Sequence, residues 1–204
     1  VTQSPEQQGL GFDFRWNVGW KNDTLEYIKS DPFYRKDHHN DLIVSPTVEG
    51  AENFILPIPH DEVVPGKKSL LDKIPGSYEN KFAGLRALLS YMYTHPGKKL
   101  LFMGSEYGPF REWDCKTGLE WFMLDFELHR KLKDFTRALN LFYLAHPALW
   151  ENDGSPEGFG WIVSDDNRNN VLVYLRRCKE EELVIPMVRK QEQREETGSV
   201  CHFK

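Results

Sequence analysis

The sequence predicts an α/β protein built on a parallel sheet, followed by a smaller all-β unit. Three observations predict it. Between residues 11 and 145, short apolar runs of strand length alternate three times with patterns of helical period. The second and third of these runs each end, at their C-terminal side, in acidic residues. After Trp150 the texture changes to alternating apolar and polar residues around one polar turn.

The first run, Gly11-Phe12-Asp13-Phe14-Arg15-Trp16, alternates apolar with polar after the turn-forming Gly9, so a strand is expected over 11–16. Asp23-Thr24 then offers an N-cap ahead of Leu25, Tyr27 and Ile28, and Pro32 ends that short helix. Residues 53–58 are almost wholly apolar, as a strand buried on both faces would be, and lead into His60, Asp61 and Glu62. From Glu79 to Thr94, Phe82, Leu85, Leu88, Leu89 and Met92 recur at steps of three and four, and Pro96-Gly97 stops the helix they imply. A third strand is expected within 98–106, closed by Gly104 and carrying Glu106 at its end. The last helix of this part should run from about Phe126 to Ala145, with Leu128, Leu132, Phe135, Leu139 and Phe142 in one stripe before Pro147. Beyond Trp150, "GFGWIVSDDNRNNVLVYLRRC" reads as two antiparallel strands joined by the polar turn Asp165 to Asn170.

Bulk composition narrows the function. With 204 residues, 40% hydrophobic and 13% aromatic, the chain has enough apolar side chain for a core. Its net charge of -5, from 26 basic and 31 acidic residues, argues against nucleic acid as a partner. No apolar stretch approaches the ~20 residues of a membrane span. Cys115, Cys178 and Cys201 are scattered, without the spacing of a disulfide framework or a zinc site, so no metal or other cofactor is expected and a reducing cytoplasm fits. The N-terminus has neither an initiator Met nor a signal-peptide pattern and reads as mid-protein sequence.

The His60-Asp61-Glu62 trio has two readings. It can be the solvated end of a surfacing strand, or, at the C-terminal end of a buried parallel strand with Glu106 at the end of the next, it can aim carboxylates into one pocket. Trp16, Trp20, Tyr107, Trp113 and Trp121 are individually core candidates; together, beside carboxylates and with no basic cluster, they suit stacking against an uncharged sugar. His38-His39 reads as a surface or loop pair without a third ligand.

The blocks "GLGFDFRWNVGW", "DTLEYIKSDP", "ENFILPIPHDEVVPGKKSLLDKIPG", "KFAGLRALLSYMYTHPGKKLLFMGSE", "REWD" and "GFGWIVSDD", in this order from Gly9 to Cys178, resemble the bacterial 1,4-α-glucan (glycogen) branching enzymes of the α-amylase superfamily. The resemblance implies the C-terminal part of a (β/α)8 TIM barrel, about strands 6–8, over residues 1–149. The start of an all-β C-terminal domain over 150–187 and a divergent, disordered tail over 188–204 follow. It further implies α-retaining transfer: an α-1,4-glucan is cut through a covalent glycosyl-enzyme, and the segment passes to a glucose 6-hydroxyl as an α-1,6 branch. Retention needs a nucleophilic carboxylate and an acid/base carboxyl about 5 Å apart. The resemblance puts both on strands 4 and 5, upstream of Val1, so the chain alone is expected to be inactive.

By the same resemblance His60 binds a sugar hydroxyl and Asp61 is the carboxylate that stabilises the transition state. Glu106 and Trp113 would line the cleft, with glycogen or maltooligosaccharide as the partner. The sequence departs from the family pattern at Asn22, Pro59 and Pro65, each in place of a usual His or Ser. Two alternatives stand beside the enzyme fragment: a non-catalytic glucan-binding module, and another α-amylase relative that hydrolyses. A three-stranded piece of barrel would also expose strand edges and fold poorly alone.

Overall fold

Asn17 sets the first turn of the chain's architecture by serving two elements at once. Its amide donates to Ile55 O at 2.8 Å, extending a strand pair, and its side chain accepts from Trp20 N at 2.9 Å, capping the helix that follows. The structure, a computed structural model, describes residues 1–2, 4–43 and 53–188. Strand β1 (Arg15–Trp16) leads through Asn17 into α1 (Val18–Lys29). The helix therefore starts five residues before the Asp23-Thr24 cap expected from sequence. Thr24 is 2% exposed, inside the helix and facing the core, so it has no terminus to cap. The first strand is shorter than the expected 11–16 because only Arg15 and Trp16 find partners, leaving Phe12 and Phe14 exposed.

Strand β2 (Phe54–Ile58) is central, paired in parallel with β1 on one side and with β3 (Lys98–Leu101) on the other. Between β2 and β3 the chain crosses through α2 (Tyr78–Thr94), whose N-cap Ser77 accepts from Asn80 N. Phe82, Leu85, Leu89 and Met92 on this helix are fully buried, with Leu88 nearly so, on the predicted face. Burial of side chains of this size contributes about 1.5–3 kcal/mol each. Helix α3 (Glu127–Ala145) packs against α2. Of its predicted stripe, Leu132 is fully buried, Leu128, Phe135 and Leu139 are partly so, and Phe142 is exposed against His146.

The crossover into β3 depends on Gly97, at φ +112, where a Cβ would lie 3.2 Å from Phe54 O and 3.1 Å from Leu56 Cγ. Gly97→Ala is expected to lower stability by about 1–3 kcal/mol, from left-handed strain and overpacking together. A fall in the urea midpoint at unchanged slope would show it.

Strands β4 (Phe159–Asp166), β5 (Val171–Arg177) and β6 (Glu182–Val188) form a separate antiparallel sheet. The first two match the expected pair. The third was not expected; its Pro186 is tolerated because β6 lies at the sheet's edge. Val188 thus ends a strand, and the rest of the tail expected over 188–204 lies outside the described residues. Leu172, with Trp161 and Met187 packed alongside, joins the core cluster of α1, α2 and β2, so the two sheets share one hydrophobic interior.

His39 corrects a second expectation. It lies in the short 3-10 helix Arg35–Leu42, is 4% exposed, and its Nε2 is 3.1 Å from Ser164 O on β4. Only its neighbour His38 is at the surface, beside Asp41. No helix among the described residues is long and apolar enough to cross a membrane.

Candidate functional site

Strand β2 stops at Ile58, and after Pro59 the chain winds into the 3-10 turn His60–Glu62. Pro59 O accepts from Glu62 N at 3.2 Å and His60 O from Val63 N at 3.0 Å, so the absent proline amide breaks no bond of the turn. A 3-10 turn advances three residues per revolution, which sends three consecutive side chains in three directions. The charged trio separates accordingly.

His60 is exposed and packs edge-on against Trp113 at 5.7 Å between ring centroids, with Phe102 at 5.9 Å. Phe102 and Trp113 meet at 5.0 Å, closing the group of three rings. Phe102 reaches this place because its amide continues the β2–β3 ladder, donating to Ile58 O at 3.0 Å. Asp61 is half-buried, and its Oδ1 is buried without a hydrogen-bond partner among the described residues. Glu62 turns back into the fold: it is 8% exposed and lies 2.5 Å from Lys21 Nζ on α1, with Lys67 at 3.8 Å. Burial raises its pKa, but the bond and charge of Lys21, with Lys67 and Lys73, outweigh burial and hold the carboxyl below its ordinary value.

Glu106 lies past the end of β3, in the 3-10 turn Ser105–Tyr107 rather than in the strand expected through residue 106. Gly104, at φ +86, makes that turn possible. The Glu106 carbonyl accepts from Thr136 Oγ1 on α3 at 3.2 Å. Its charge, after burial, helps raise the phenol of Tyr93, which bridges α2 to α3 through a 2.8 Å bond to Asn140. Glu106 belongs to neither the ring group around His60 nor the nearby cavity.

That cavity, of about 30 Å³, is lined by Val63, Ser69, Tyr107, Glu112, Trp113 and Leu119 among others. It has room for a water or two and none for a glucose ring.

Two residues escaped the reading of the sequence. Phe102 completes the ring group, and its position follows only from strand register. Glu112 accepts from Gly66 N at 3.0 Å and from Lys68 N at 2.5 Å. Those amides, with some help from Lys73, hold its carboxyl below the ordinary glutamate value.

No protein-family profile matches the chain. A 1,4-alpha-glucan branching enzyme GlgB of Halothermothrix orenii is 52% identical over 180 residues, which are 88% of this chain and 29% of that protein. The branching enzyme GlgB 1 of Clostridium perfringens is 53% identical over 88% of this chain and 27% of its own length. In sequence, the chain is similar to a segment of these branching enzymes. It spans only 24–29% of the branching enzymes it matches, another being that of Pseudomonas fluorescens at 51% identity. Among solved structures, a cyclomaltodextrinase superposes with a TM-score of 0.58 at 18% identity, over 86% of this chain and 28% of its own. The α-amylase of H. orenii gives 0.57 at 16% identity, over 91% and 42%. At such identities the agreement speaks for the fold alone, shared here with a part of each of those proteins.

Proposed function

We propose that this chain is the C-terminal part of a glycogen branching enzyme acting in the cytoplasm. In this reading β1, β2 and β3 are strands 6, 7 and 8 of a (β/α)8 barrel over residues 1–149. The segment from residue 150 onward, with the antiparallel sheet Phe159–Val188, begins the C-terminal domain, and the sequence after Val188 diverges from the family. One observation carries the functional part: at the C-terminal end of a parallel strand, Asp61 holds a buried carboxylate oxygen with no hydrogen-bond partner among the described residues, beside an exposed His60. Buried acceptors are ordinarily satisfied, so this oxygen is suited to a ligand's donor.

Sugar hydroxyls are such donors. In the transition state of glycosyl transfer, the ring acquires oxocarbenium character, and bonds from its hydroxyls to a carboxylate strengthen. Asp61 would grip ring hydroxyls and oppose the developing positive charge, while His60, steadied by Trp113 and Phe102, would hydrogen-bond a neighbouring hydroxyl. Trp113 would line the cleft, whereas Glu106, which belongs to neither the ring group nor the nearby cavity, would not. The nucleophile and the acid/base come from barrel strands preceding this segment.

Amylose with its iodine colour tests the reading. The complete enzyme containing this chain is expected to bleach the colour while α-1,6 linkages, counted after enzymatic debranching, increase. The 204-residue chain alone is expected to do neither, since loss of the covalent step exceeds the ~10²- to 10⁴-fold effect of a single acid/base group. New reducing ends without α-1,6 linkages would instead identify a hydrolase.

A further inference from the structure

We infer that Glu112 is a positioning residue: its carboxylate clasps the loop 63–68 and so fixes Trp113 against His60. Both residues that frame the clasp have left-handed backbone, Gly66 at φ +90 and Lys68 at φ +64. Such conformations turn amides toward one side of the loop, forming a concave set of donors that favours an anion. The anion here is supplied by the protein itself. Glu112 Oε1 accepts from Gly66 N and Lys68 N, and Oε2 accepts a second time from Gly66 N. A positive φ at Lys68 is unfavourable for a side chain-bearing residue, and the bond to Glu112 offsets it.

The next residue carries the consequence. Trp113 N donates to Val63 O at 2.7 Å, so the two loops are joined by a backbone bond directly beside the carboxylate clasp. Val63 in turn donates to His60 O, and the Trp113 ring meets the His60 ring at 5.7 Å. Glu112 therefore stands one residue from the indole and closes a circuit that runs from His60 through Val63 and the loop back to Trp113. Without the carboxylate, the left-handed amides of Gly66 and Lys68 lose their acceptor, and the Val63–Trp113 bond alone must hold the indole in register.

This inference rests on the proposed role of His60 and Trp113 in holding glucan. The test uses the complete enzyme, with amylose as substrate and with fluorotryptophan incorporated as a spectroscopic probe of Trp113. Glu112→Ala is expected to lower kcat/KM by about tenfold, less than the ~10²-fold that a 1 Å misplacement costs. The loss should fall mainly on KM, and the Trp113 resonance should shift while the melting temperature changes by only a few degrees. Glu112→Gln, which keeps one acceptor oxygen, should recover part of the loss. In a Trp113→Ala background, Glu112→Ala should add little, because its effect passes through the missing indole.

Additive losses in the two variants, or a wild-type kcat/KM and an unmoved Trp113 resonance in Glu112→Ala, would overturn the inference. Should Glu112→Ala fail to fold, Glu112→Gln decides: an intermediate value supports it and a wild-type value overturns it. If the wild-type enzyme does not branch amylose, the functional proposal fails, and the clasp is judged on the Trp113 resonance alone.

Discussion

Arg176→Met is expected to lower folding stability by about 3–5 kcal/mol, the range for breaking a buried ion pair by removing one partner. Arg176 is completely buried on β5 and directs its guanidinium at four oxygens from the rest of the chain. Its Nη1 donates to Thr94 O at 2.7 Å, and its Nη2 donates to Leu149 O at 3.0 Å and Asp153 Oδ1 at 2.6 Å. Nε donates to Gly158 O at 3.3 Å. Thr94 is the last residue of α2 and Leu149 the last of the 3-10 turn Pro147–Leu149, so the fork satisfies two carbonyls that their helices leave unpaired. Methionine fills the space but leaves those carbonyls and Asp153 Oδ1 without the guanidinium, with Lys98 Nζ still donating to Asp153 Oδ2 at 3.1 Å.

Asp153 sharpens the expectation. Burial raises its pKa, but Lys99, Arg176 and Lys98 outweigh burial and hold it below the ordinary carboxylate value. A depressed folded-state pKa stabilises the fold above the unfolded-state value and ceases to do so as pH falls through the folded-state value. The variant should lose part of that acid-side dependence along with its stability. Neighbouring Arg177 is exposed and makes one carbonyl contact, to Glu157 O, so Arg177→Ala should cost less than about 1 kcal/mol. Urea midpoints of the two variants decide; equal effects would mean that the fork does not anchor the antiparallel sheet.

What could be read in the sequence was what depends on nearby residues. Helix α2 was legible because its stripe and the Pro96-Gly97 stop lie within one local window, and the β4–β5 hairpin because alternation surrounds a polar turn. What escaped depends on partners distant in the chain. Asn17 rather than Asp23 caps α1 because Asn17 is held by Ile55, and the first strand is short because only two of its residues meet β2. His39 is buried by a strand that follows it by more than a hundred residues. In the site, the position of the charged trio at a strand end was readable, but its dispersal required the 3-10 turn. Glu112 carries no signal of its own within "REWD", since nothing local links it to amides 44 and 46 residues earlier.

That dispersal makes a contrast between adjacent residues possible. In the complete enzyme, Asp61→Asn is expected to reduce kcat on the order of 10²- to 10³-fold, the cost of removing one preorganised group aimed at transition-state charge. The substitution keeps size and one acceptor oxygen, so ground-state binding of amylose, and hence KM, should change far less. It removes the negative charge that opposes the oxocarbenium-like ring, which exists only at the summit of the barrier. Stability should hold or rise slightly, because the wild-type carboxylate has a buried oxygen with no donor among the described residues. Glu62→Gln should behave in the opposite way. Glu62 is paired with Lys21 in a nearly closed environment, so the amide leaves that ammonium without its counter-charge, lowering the melting temperature while kcat is kept. Initial rates of α-1,6 linkage formation, set against melting curves for both variants, separate the two roles. If Asp61→Asn retained kcat, or lost it only in proportion to stability, Asp61 would be a structural carboxylate like its neighbour, and its buried oxygen, unbonded among the described residues, would have no part in the chemistry.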